Sequence, residues 1–124
     1  MDRGVLALVA LAAALLAAGC VQYAPVPPER TGIVGCWSTP DKVYSFRLHP
    51  TGRAIYYEKI QNLTINLFGP AKFSGSNMTI DIPLAPQKFV IKREPYEYNG
   101  MTLLTIDRVT FVKIECPDEE WPSG

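Results

Sequence analysis

At 124 residues the chain has length for one hydrophobic core and no second domain. Its 12 basic residues are balanced by 12 acidic ones, so it lacks the basic face that nucleic-acid binding needs. A single His and three Cys are too few for a zinc or iron site built from imidazoles, and no cofactor is indicated.

Met1 to Arg3 form a short basic start, followed by an unbroken apolar run from Val5 to Ala18 that ends at Gly19-Cys20. The run is shorter than the roughly 20 residues of a membrane span, and Pro25, Pro27 and Pro28 follow it closely. Residues 1–19 therefore read as a cleaved signal peptide. Ala17-Ala18-Gly19-Cys20 resembles the lipobox of bacterial lipoproteins, in which small residues fit the signal peptidase and the Cys thiol receives diacylglycerol. The resemblance implies a lipid anchor on Cys20, palmitate-type acylation and the membrane as partner. With Val21 rather than Asp next to the modified residue, it also implies the periplasmic side of an outer membrane, if the organism has one. An ordinary secreted protein is the other reading, because Ala17 and Gly19 also satisfy the small-x-small rule of general signal peptidase.

Three Cys in a secreted chain leave one unpaired. A lipid on Cys20 removes the odd one and leaves Cys36 and Cys116, either as a disulfide in an oxidising compartment or as two thiols.

Residues 20–31 carry three prolines and few large apolar side chains, and are expected to form an extended spacer of up to about 30 Å between bilayer and domain. The domain is expected over 32–116, with an acidic tail over 117–124.

From Thr31 onward the apolar residues alternate with a period near two between Gly, Pro and Asn turns, the mark of an all-β domain. Strands are expected over 32–38, 42–48, 53–60, 63–68, 71–74, 78–82, 87–98 and 101–115. Tyr44, Phe46 and Leu48 share one face, as do Leu63, Ile65 and Leu67, and Met78, Ile80 and Ile82; each strand is expected to bury that face. Asn99-Gly100 supplies the positive φ angles of a type I′ hairpin and sets Tyr98 opposite Met101 and Tyr96 opposite Leu103. Short successive loops favour an antiparallel up-and-down barrel of about eight strands, with a β-sandwich as the alternative. In such a barrel the first and last strands are neighbours, which suits a Cys36–Cys116 bridge. Cys36 lies on the face opposite Trp37, whereas Cys116 shares parity with Val112 and Ile114, so a bulge, or a bridge made just past the strand at Pro117, is expected to reconcile the two.

Gly35-Cys36-Trp37 is similar to the Gly-x-Trp that opens lipocalins and lipocalin-like domains. The resemblance implies that Trp37 plugs one barrel end, covered by a late cation for which Arg108 is the candidate.

No catalytic residue is indicated. His49 lies in a His-Pro-Thr-Gly turn, no Gly-x-Ser-x-Gly nucleophile turn exists, and Glu94 and Glu97 sit beside Lys92 and Arg93 on what reads as a solvated face. The expected function is a non-enzymatic binding or interaction module of the cell envelope, taking an envelope protein or a small apolar ligand. An inhibitor of a secreted hydrolase such as lysozyme is the alternative. Tyr44, Tyr56, Tyr57, Tyr96 and Tyr98 are the candidate contact residues, either outward toward a partner or inward toward a ligand. Cross-strand aromatic pairs within the sheet are the competing explanation.

Overall fold

The computed structural model describes residues 22–117; Cys20 and the acidic tail lie outside the described residues. A 3-10 helix over Pro28–Ile33 leads into eight strands: β1 (Gly35–Ser38), β2 (Tyr44–Leu48), β3 (Arg53–Ile60), β4 (Leu63–Ser74), β5 (Asn77–Ile80), β6 (Gln87–Tyr98), β7 (Met101–Ile106) and β8 (Val109–Ile114). They close into an antiparallel up-and-down barrel in sequence order, with β1 pairing both β2 and β8. This architecture is compatible with the lipocalin-like barrel, not with an open sandwich.

The strands number eight as expected, but two of them differ in compensating ways from the expected boundaries. Residues 63–68 and 71–74 are one continuous strand, because Gly69-Pro70 does not break it: the Pro70 carbonyl accepts the Asp81 N–H at 2.8 Å, and a Cβ at Gly69 would sit 3.1 Å from the Asp81 carbonyl oxygen. Pro is tolerated there because it stands at the last rung of a ladder. Conversely 101–115 is two strands, reversed at Asp107 in the left-handed region (φ 54°). The Asp107 backbone N–H donates to the Val90 carbonyl at 2.7 Å, and its carboxylate accepts the Val90 N–H at 3.0 Å. These two bonds to Val90 hold Asp107 in the left-handed conformation, which Asp adopts more readily than most residues.

The hairpin at Asn99-Gly100 has φ values of 52° and 75° and the expected register, Tyr96 facing Leu103 and Tyr98 facing Met101. Trp37, Phe46, Leu48, Met78, Ile80 and Leu104 are each less than 2% exposed and, with Ile91, Ile106 and Phe111, fill the interior. Val112 and Ile114 face outward, since Phe111 and Val109 take the inner positions of β8. Cys36, the partner of Ile114, is therefore on the outer face too, and bonds Cys116 with Cα atoms 5.2 Å apart. No bulge is needed.

The proline-rich segment is only in part a spacer. Val26 donates its N–H to the Pro50 carbonyl at 3.1 Å and rests on the core, and Ile33 is 1% exposed. Residues 26–31, expected in the linker, thus belong to the domain. They close one barrel end because Pro28 starts the helix without a donor to lose, and Ile33 has apolar surface to bury.

Candidate functional site

The helix end of the barrel is sealed. Trp37 is wholly buried and donates its indole Nε1–H to the Ile33 carbonyl at 2.8 Å. Lys113, its cross-strand partner on β8, holds its ammonium 5.7 Å from the indole centroid. Gly35, at φ 134°, leaves room for that side chain, since a Cβ would approach the Lys113 Cε to 3.1 Å. Arg30 reaches from the helix to the Glu94 carboxylate and the Gly75 carbonyl, tying the plug to the neighbouring hairpins. Arg108 does not take part. It lies in the exposed β7–β8 turn, five residues or about 17 Å along the strand from Lys113. The cation over the plug is Lys113, two residues after Phe111 on the same inner face.

Toward the far end the inner layer turns polar and aromatic. Tyr44 and Tyr56 point inward, half-buried, and the Tyr56 ring stands 5.1 Å from that of Phe89. Burial pushes the Tyr56 phenol well above its ordinary value, helped by the negative charges of Glu58 and Asp107 and by neighbouring Tyr44. A phenol held neutral this firmly is a hydrogen-bond donor rather than a base. Asp41, on the β1–β2 loop, is held below the usual carboxylate range by the Thr39 hydroxyl at 2.6 Å and the Val43 N–H at 3.1 Å.

The five candidate tyrosines do not form one surface. Tyr57 faces outward from β3, back to back with Tyr56. Tyr96 and Tyr98 face outward near the sealed end, where the Arg93 guanidinium stacks 3.4 Å from the Tyr96 ring centre. Tyr98 pairs with Met101, and both are exposed.

Sequence reasoning missed the outer wall at β4. Residues 63–70 pair with β3, but only 71–74 pair with β5. Alternation from the two-residue Gln61-Asn62 turn directs the backbone groups of Thr64, Asn66 and Phe68 away from β3. Among the described residues they have no backbone partner. On the opposite, inner face Leu63, Ile65 and Leu67 pair with Ile60, Glu58 and Tyr56, but Leu63 is 62% exposed and the other two are only partly covered, so the face expected to be buried lies open toward the far end of the barrel. Beside the open edge lies a shallow pocket of about 280 Å³, lined by Tyr23, Phe68, Pro70, Asp81, Ile82 and Pro83 among others. From Ile60 through Ala71 the sequence has no charged residue, the signal that could have exposed this edge.

Among the described residues no group of three or more His, Cys, Asp or Glu is placed to hold a metal ion. No protein-family model matches the chain, nor does any curated protein or solved structure.

Proposed function

We propose that the chain is a lipid-anchored protein of the cell envelope whose barrel is a non-enzymatic interaction module, meeting a partner protein on its outside. The observation that carries this is the filled interior. Trp37, Phe46, Met78, Ile80 and Leu104 occupy the volume that a ligand-binding barrel keeps empty, which counts against a small apolar ligand held inside. The outer strip of Arg93, Tyr96, Tyr98 and Met101 has the composition of protein-contact centres, aromatic and guanidinium side chains on a rigid hairpin. The anchor rests on the lipobox resemblance at Cys20 and on the Cys36–Cys116 disulfide, which leaves Cys20 the one thiol without a partner in the domain.

Two measurements test the reading. Cys20→Ala should move the protein from the membrane fraction to the soluble fraction, and globomycin should cause precursor to accumulate; membrane retention of the variant, insensitive to globomycin, rejects the anchor. In cross-linked envelopes, partners captured by the parent should be lost from Arg93→Ala/Tyr98→Ala. An unchanged set of partners rejects the strip as the contact surface.

A further inference from the structure

We propose that the outer wall around the unpaired edge of β4 faces the lipid bilayer, so that the barrel lies against the membrane and does not stand off from it. This rests on the anchor reading for Cys20. The argument begins where the described chain begins. Val26 is hydrogen-bonded to Pro50, and the Ala24 carbonyl lies so close over Gly52 that a Cβ there would overlap it. Upstream of this strap, Tyr23 lines the pocket beside Phe68, Pro70 and Pro83. Cys20 is three residues before Tyr23, so its sulfur starts no more than about 10 Å of extended chain from that wall. The acyl chains must enter the bilayer from there.

The wall has the chemistry of that position. Tyr23, Phe68 and Leu84 are exposed large apolar side chains on or near it, and Leu84 is fully exposed. Its uncharged run is bounded by Lys59 and Lys72; the Lys72 ammonium is paired with the Asp81 carboxylate at 3.0 Å, which neutralises the one acidic group lining the pocket, and the Lys59 stem can lie along the apolar surface while its ammonium meets lipid phosphates. Depth is limited by the open backbone groups of Thr64, Asn66 and Phe68. These would be unsatisfied in hydrocarbon, so the wall sits at headgroup level, where water and phosphates serve them. A second copy could pair with the same edge, antiparallel about Asn66, and is the competing occupant.

The test uses the full chain purified in lipidated form and reconstituted into phosphatidylethanolamine and phosphatidylglycerol vesicles with brominated acyl chains. Tryptophan is introduced by Phe68→Trp or Leu84→Trp on the wall, or by Thr110→Trp on β8 across the barrel, and emission is corrected for the parent. Mass spectrometry of the N-terminal peptide reports acylation of Cys20 separately. Bromine should quench the tryptophans at 68 and 84 and leave the one at 110 unchanged. An acylated protein with no quenching at 68 and 84, or with equal quenching at all three, overturns the inference while the anchor stands. Absence of quenching together with a dimer in sedimentation assigns the edge to a second copy and overturns it likewise. An unacylated Cys20 overturns the anchor, and the inference with it.

Discussion

Trp37 and Lys113 are cross-strand partners on β1 and β8, the ammonium 5.7 Å from the indole centroid. The two residues therefore fasten the seam where the first strand meets the last, and the indole N–H continues the fastening to Ile33 on the plug helix.

Trp37→Phe keeps most of the apolar volume but leaves the Ile33 carbonyl without its donor. Orphaning a buried acceptor costs about 1–3 kcal/mol, read as a lower urea midpoint. Lys113→Ala, at an exposed site, should cost no more than about 1 kcal/mol. A Trp37→Phe variant as stable as the parent would show that the plug is held by packing alone.

The Cys36–Cys116 bond closes a loop with a sequence separation of 80. In the chain-entropy model that stabilises the domain by about 4.5 kcal/mol. Cys36→Ala/Cys116→Ala should lose a comparable amount in denaturant titration, and parent protein under reducing conditions should match it.

Tyr56 contributes a pH dependence with a definite sign. Its folded-state pKa is raised above the unfolded value of about 10, so the unfolded chain releases the proton first. The stabilisation is complete below pH 10 and declines as pH rises past it. Tyr56→Phe should remove part of that decline. Urea midpoints of parent and variant at pH 8 and pH 10.5 should therefore converge at the higher pH.

Gly52→Ala meets two obstacles, a φ of 93° and the Ala24 carbonyl. An L-residue in such backbone costs about 1–3 kcal/mol, and the contact is relieved only if residues 22–25 lift from the β2–β3 turn. Faster limited proteolysis in this segment is the expected readout. An unchanged cleavage rate would mean that Val26 and Pro50 hold the strap unaided.

Much of the barrel was legible because its inner faces obey a period of two, as with Tyr44, Phe46 and Leu48, and because Asn99-Gly100 has one dominant turn geometry. The Asp107-Arg108 reversal was not legible, because its left-handed residue is stabilised by Val90, seventeen positions away. The assignment of Arg108 to the plug failed for the same reason, since the unseen turn moved it to the other end. The facing of Cys116 was misjudged because Val112 and Ile114 are apolar yet point outward. Residues 26–31 lack periodicity, so nothing local announced that Ile33 would draw them onto the core. The open half of β4 was hidden by its own regularity: Leu63, Ile65 and Leu67 alternate as a buried strand does and share the inner face with Tyr56, but toward the far end of the barrel little packs over them, and no strand lies alongside to pair the backbone of Thr64, Asn66 and Phe68.

The bond between Cys36 and Cys116 makes residues 36–116 a covalent ring. A single cut inside it, as in the exposed 83–86 stretch between β5 and β6, leaves the two pieces of backbone joined through sulfur. Every barrel strand apart from Gly35 lies within that ring. A protease that nicks the domain once would therefore release neither half, and the damage would show as two bands only on a reducing gel.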